Sequence, residues 1–438
     1  MDPVGELTSH VFVALIAIIL AAAACGRIAN AAGQPRVVGE MVAGVLLGPS
    51  LLGELAPAAS AFLFPREVVS VLYVLSTIGL VFFMFLVGAG IHGDVLDRRS
   101  VREAMVVGGT GVGVPFVLGA GTALLVAGQV AEPGTSRLHL SLLLGGALTV
   151  TAFPTLARIL EDRRMQFSRL GAVTLLAGSV DDIAAWIMLV LVIALAFGGS
   201  AAQVAVALVG TAVFTAAMLT LGRRLMARVA RVVEREGELT PGALATTLLF
   251  VAASAWATHE LGVHFVFGGF VAGLALPASP LLRERLRSRL MDMNAGLLLP
   301  VFFAHTGLNT DIDAVLRGSV LGAVVAIVAA AFAGKYLSCL LAMRLQGNGW
   351  RISSAVGALM NARGLMILIF IGIGRRQGLL GQDLYSILVL VAVVTTIAAI
   401  PLYRLSLPGH LEDAERDRRE GGGGREPRPA YDDATVGR

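Results

Sequence analysis

The sequence predicts an all-α polytopic membrane protein with about thirteen transmembrane helices. Three observations predict it. Hydrophobic residues make up 56% of the 438 positions and charged residues 15%, which leaves no room for a large soluble domain. Apolar runs recur at lengths that cross a bilayer, which takes ~20 residues at a ~1.5 Å rise. Arginines gather in alternate connections between those runs, the pattern of cytoplasmic loops.

In chain order the first run lies near 11–25. Its leader carries Asp2 and Glu6 and no basic residue, the opposite of a secretory leader, so it is expected to be a retained span. Further spans are expected near 36–53, 68–90, 103–128, 138–161, 168–197 and 203–222, then 242–260, 262–277, 291–307, 318–345, 352–373 and 382–406. Arg27 and Arg36, Arg98 to Arg102, Arg163 to Arg169, Arg223 to Arg235, Arg283 to Arg289, and Arg344 with Arg351 mark one side. The other side holds only Arg66, Arg137, Arg317, Arg375 and Arg376. The positive-inside rule then puts the N-terminus outside and the C-terminus in the cytoplasm, in the cell membrane, as an odd span number requires.

Residues 407–438, with their Glu-Gly-Gly-Gly-Gly-Arg stretch, are too polar to bury a core and are expected to form a short disordered cytoplasmic tail. The net charge of +4 reflects topology rather than nucleic-acid binding, because the arginines fall between apolar spans and not along one soluble face. Cys25 and Cys339 are too few for a disulfide framework or a metal site and read as packing residues. No cofactor is expected.

The chemistry is concentrated in four places. Asp181 and Asp182 stand side by side in the run Ala172 to Phe197, whose other polar side chains are Thr174, Ser179 and Trp186. Lys335, the chain's single lysine, is embedded in the run Leu321 to Met343. Ionised groups at membrane depth are costly, by ~2.5–3.5 kcal/mol each on insertion scales, and usually functional. Adjacent helical residues point about 100° apart, so one aspartate can face a cavity while its neighbour faces another helix. Protons and metal ions compete for such a carboxylate, and that competition is itself an exchange mechanism.

The other two places are matched irregularities. The fifth span contains Thr149-Val150-Thr151-Ala152-Phe153-Pro154, where a proline and β-branched residues weaken the helical ladder. Seven spans later comes Met360-Asn361-Ala362-Arg363-Gly364. The same offset pairs the fourth span with the eleventh and the sixth with the thirteenth, the spacing of an inverted repeat. Thr149 and Thr151 offer hydroxyl or carbonyl oxygens to a hard monovalent cation, or bond back to their own helix. Arg363, beside Asn361 and Gly364, is placed to neutralise helix carbonyl ends at the break.

These residues carry a family resemblance. Gly39-Glu40-Met41-Val42-Ala43-Gly44-Val45-Leu46-Leu47-Gly48-Pro49-Ser50 resembles the second-span signature of the second monovalent cation:proton antiporter family. Thr151 to Leu160, Val180-Asp181-Asp182-Ile183-Ala184-Ala185-Trp186 and Met360 to Leu365 are similar to its plant and fungal cation/proton exchanger branch, and the likeness covers residues 10–406. The resemblance implies two crossed broken helices and an elevator in which a core domain moves against a dimerisation domain, and hence a homodimer. It places the core helices near 103–197 and 318–406 and the dimer or scaffold helices near 11–90 and 242–307 of a membrane domain spanning 1–406. It also implies that Asp182 binds cation and proton, that Asp181 is its partner, that Thr149 and Thr151 sit at the helix crossing, and that Lys335 is the core lysine. Pro154, Asn361, Arg363 and Gly364 mark the breaks. An Asp-Asp pair with this lysine is associated in the family with electrogenic exchange. The nucleotide-binding domain of potassium-efflux relatives is not expected here.

The expected function is secondary exchange of Na⁺ or K⁺ for protons across the lipid bilayer, not enzymatic catalysis. The alternative is proton-driven efflux of an organic or ionophore-type substrate. An intramembrane aspartyl protease would need acids on two helices in a Gly-x-Gly-Asp context, which this chain lacks. A channel would call for a filter of repeated carbonyls or acid rings.

Overall fold

The computed structural model describes residues 3–34, 36–90, 98–131, 135–151, 156, 159–160, 163, 165, 168–196, 201–261, 264–310, 318–376, 378, 380–409 and 411–412. Every regular element among them is helical. In chain order these are α1 (Pro3–Ala31), α2 (Arg36–Leu47), α3 (Pro57–Leu63), α4 (Arg66–Gly90), α5 (Arg98–Val130), α6 (Arg137–Thr149), α7 (Arg169–Ala196), α8 (Ala201–Ala217) and α9 (Arg223–Glu236). There follow α10 (Pro241–Glu260), α11 (Phe265–Leu274), α12 (Pro280–Met293), α13 (Leu299–Leu308), α14 (Gly318–Phe332), α15 (Ser338–Leu345), α16 (Trp350–Met360), α17 (Gly364–Arg376) and α18 (Gln382–Ser406). Wider π turns occupy Pro49–Gly53, Met218–Gly222, Asn294–Leu298 and Ala333–Leu337, the last three joining α8 to α9, α12 to α13 and α14 to α15.

Among the described residues seven helices are long and apolar enough to cross a membrane. Large apolar side chains such as Val117, Leu125, Leu249 and Val325 are exposed on them, as lipid-facing positions should be. Two stretches expected as loops are helical instead. Arg223 to Arg235 lie on α9, where Met226, Val229, Ala230 and Val233 recur at helical spacing and are buried. Arg283 to Arg289 lie on α12, with Leu282, Leu286 and Leu290 as the buried stripe. The arginines are spaced at the same period, and that hid the helix behind the charge. Gly237, at φ +74°, ends α9 in the left-handed conformation that glycine adopts freely.

The chain divides into two compact units. The first comprises 1–93 and 190–312, the second 94–189 and 313–438. Within the first, Ala14, Ile18, Val68, Leu72, Val301 and Ala304 form one core cluster. There α2 and α13 approach backbone to backbone at Gly44 and Gly307. A Cβ on Gly307 would run into the Gly44 carbonyl and come within 2.5 Å of Val45 N. Gly307→Ala is therefore expected to destabilise the protein by about 1–3 kcal/mol or more, because rigid backbone rather than a side chain stands in the way. The check is a lower apparent Tm in detergent.

In the second unit, Ala104, Val107, Leu156, Leu160, Val173, Ala177, Ala355, Leu359 and Tyr403 belong to one core. Ser136 caps α6, its hydroxyl accepting from Leu138 N at 3.3 Å. After Ser406 the chain stays on this unit: Tyr403 Oη and Arg163 Nη1 each donate to the Glu412 carboxylate at 3.3 Å. Of the tail expected to be disordered, 407–438, Leu407 and Leu411 pack on this core, and 410 and 413–438 lie outside the described residues.

Candidate functional site

Two interruptions in the second unit create the site. α6 stops at Thr149 and Val150 turns extended, while α16 stops at Met360 and α17 begins at Gly364. The breaks meet, since Thr151 Oγ1 lies 3.0 Å from Met360 O. A helix that ends inside protein leaves its last carbonyls without amides, and these form the negative end of its dipole. Two buried cations serve the end of α6. Arg363 Nη1 donates to Leu148 O at 2.6 Å and Ala147 O at 3.4 Å, and Lys335 Nζ donates to Thr149 O at 2.5 Å. Arg363 Nη2 donates to Ala331 O at 2.6 Å, just ahead of the π turn.

Lys335 sits within that π turn and is wholly buried. Its ammonium pairs with Asp181 Oδ2 and also donates to Gly111 O at 2.7 Å. Thr151 Oγ1 lies 2.5 Å from the same Asp181 oxygen. Asp181 is thus anchored from two sides through one oxygen, while its Oδ1 has no hydrogen-bond partner.

Asp182 differs from its neighbour. It is 0% exposed, and both of its carboxylate oxygens lack a hydrogen-bond partner among the described residues. It lies within electrostatic reach of Asp181 and Lys335. The Asn361 amide at the second break is likewise buried with neither its nitrogen nor its oxygen bonded. An orphan buried carboxylate is among the costliest groups a fold can hold, so it marks a place where a proton or a cation completes the structure.

The structure therefore brings Thr149, Thr151, Asp181, Lys335 and Arg363 together. Thr149 contributes its carbonyl, because its hydroxyl donates back to Gly146 O at 2.7 Å. Gly364 begins α17, and Pro154 lies outside the described residues. Sequence reasoning missed Gly111, the π turn at Ala333–Leu337, and Cys339 as a neighbour of the ion pair; its sulfur would lie 3.0 Å from a Cβ on Gly111. Among the described residues no cluster of three or more His, Cys, Asp or Glu offers a resident metal site.

The family model for the transmembrane domain of sodium/hydrogen exchangers matches residues 13–403. The chain belongs to that family. It is a family of membrane transporters, not enzymes, and this member is a multi-pass membrane protein. It is 37% identical over 370 residues to the Na(+)/H(+) antiporter NhaS4 of Synechocystis, covering 84% of this chain and 90% of that protein. It is 33% identical to Cation/H(+) antiporter 19 of Arabidopsis thaliana and 31% identical to K(+)/H(+) antiporter 1 of Saccharomyces cerevisiae, over 85% and 87% of this chain. The matched region spans only 46% and 45% of those two proteins. The solved structure of the sodium proton antiporter MjNhaP1 from Methanocaldococcus jannaschii superposes with a TM-score of 0.63 at 13% identity, covering 94% of this chain and 99% of that one. This family member therefore shares the helical antiporter fold.

Proposed function

We propose that the protein exchanges a monovalent cation, Na⁺ or K⁺, for protons, with Asp182 as the shared binding group. The observation that carries this reading is the Asp182 carboxylate, fully buried with both oxygens unpartnered. A proton or a dehydrated cation would satisfy it, one excluding the other. Asp181, held by Lys335 and Thr151, is the second acid. Lys335 stays charged while it pairs with an ionised Asp181, and a cation that takes the aspartate displaces that pairing. With Asp182 giving up its proton and Lys335, once the cation displaces its pairing, giving up another, two protons cross for one cation and the exchange is electrogenic.

The unit containing 94–189 and 313–438 is the transporting core in this reading, and the unit containing 1–93 and 190–312 is the dimer scaffold. The transporter resides in the cell membrane as a homodimer, with its arginine-rich connections and C-terminus in the cytoplasm. Its relatives in cyanobacteria and yeast, named for Na⁺ and K⁺ exchange, support a monovalent cation as cargo.

The test uses purified protein in sealed liposomes with an internal pH dye, Na⁺, K⁺ or Li⁺ added, and the membrane potential clamped at two values. Cation-dependent proton movement whose rate shifts with potential is expected. A rate indifferent to potential would make the exchange electroneutral. If folded protein responds to none of these ions, cation exchange fails and efflux of an organic substrate takes its place.

A further inference from the structure

Lys335 is held by a carbonyl that an intact helix would not give away. In α5 the amide that would bond to Gly111 O is that of residue 115, four positions on. That residue is Pro115, which lies inside the helix and has no N–H. A buried carbonyl deprived of its amide in a membrane core must find another donor. Gly111 O finds Lys335 Nζ, at 2.7 Å.

The fit around this contact is close. A Cβ on Gly334, the residue before Lys335, would lie 3.1 Å from Pro115 Cα and 3.4 Å from Pro115 Cβ, so the absence of a side chain there lets the proline turn meet the π turn. A Cβ on Gly111 would lie 3.6 Å from both Lys335 Nζ and Asp181 Oδ1. An ammonium has three N–H donors. Here they meet Gly111 O, Thr149 O and Asp181 Oδ2, and Asp182 receives none of them.

We infer that Pro115 is a positioning residue of the ion site: by withholding an amide hydrogen from α5, it leaves the Gly111 carbonyl to hold the Lys335 ammonium on Asp181 and away from Asp182. Two of the three acceptors are backbone carbonyls, and a neutral amine still has two N–H groups for them, so the Lys335 nitrogen stays in place even when a cation displaces its pairing with Asp181. The charged groups around the ammonium are Asp181 and Asp182 on α7 and Arg363 at the second break, with the Cys339 thiol on α15. A lysine free to swing onto Asp182 would compete with the transported cation for the same oxygens. The inference rests on the antiporter reading given above for its effect on transport, though not for the geometry.

Pro115→Ala restores the N–H, and alanine is the residue a helix accepts most readily. The liposome assay is expected to show an apparent KM for the cation raised about three- to tenfold, the weight of roughly one hydrogen bond, with maximal rate within about twofold. A second variant separates the missing donor from the ring. Replacing Pro115 with an α-hydroxy acid gives a backbone ester that also lacks the N–H, and it is expected to keep the wild-type KM. An unchanged KM in Pro115→Ala, or an ester variant impaired as much as the alanine variant, would overturn the inference. Should the wild type move no cation at all, the antiporter reading fails by itself. The inference is then read from an experimental structure of Pro115→Ala, in which Gly111 O is expected to lie beyond hydrogen-bond distance of Lys335 Nζ, and retention of that contact would overturn it.

Discussion

Asp182→Asn is expected to abolish cation-dependent proton movement while leaving the folded protein at least as stable as wild type. The two halves of that result come from one fact, that the carboxylate is buried with no partner on either oxygen. The amide keeps the shape of the acid and can neither take up a proton nor offer a full negative charge to a cation, so turnover falls by more than about a hundredfold, as for loss of a group the reaction cannot bypass. Stability moves the other way. Keeping the carboxylate ionised out of water costs several kcal/mol, a cost the acid escapes only by holding a proton or a cation and the amide escapes at any pH. In cation-free detergent the apparent Tm should equal or exceed that of wild type. Added Na⁺ or K⁺ should raise the wild-type Tm by mass action and leave that of the variant where it was. Asp182 would lose its assigned role if the variant retained coupled proton flux, or if cation still stabilised it.

The sequence was most legible where physics acts locally. Span boundaries followed apolar runs closely at 242–260, seen as Pro241–Glu260, and at 382–406, seen as Gln382–Ser406. The fifth and twelfth spans read as interrupted because Thr149 to Pro154 and Met360 to Gly364 carry residues that break a helical ladder, and the helices do end at Thr149 and Met360. Three aspects were not legible. No residue type announces a π turn, so Ala333–Leu337 gave no signal, although it presents the lysine. Pro115 was visible as a proline in mid-span, but the group that takes up its orphaned carbonyl comes from a residue 224 positions away in sequence. The contribution of Thr149 was ambiguous by nature, since a threonine carries two oxygens and only packing decides which one faces the site.

Lys335→Met is expected to be the most destabilising single change at the site, and adding Asp181→Asn is expected to reverse most of the damage. Removing the ammonium leaves an ionised Asp181 without its counter-charge and strands the Gly111 and Thr149 carbonyls, all of them buried. Breaking one side of a buried pair costs about 3–5 kcal/mol, most of it the penalty of the charge left behind. In the double variant that charge is gone, and the new amide has N–H donors to offer to carbonyls that lost theirs. Stability should return to within about 1–2 kcal/mol of wild type, a non-additivity that only directly coupled groups produce. Thermal melts of the wild type, both single variants and the double variant complete the cycle. Additive losses would mean that Lys335 and Asp181 do not share a bond in the folded protein. Transport separates structure from function in the same set of proteins: the double variant, refolded in energetic terms but short of an acid and of its counter-ion, should show no potential-dependent proton flux. Flux that remained and still followed the membrane potential would move the electrogenic step away from this pair.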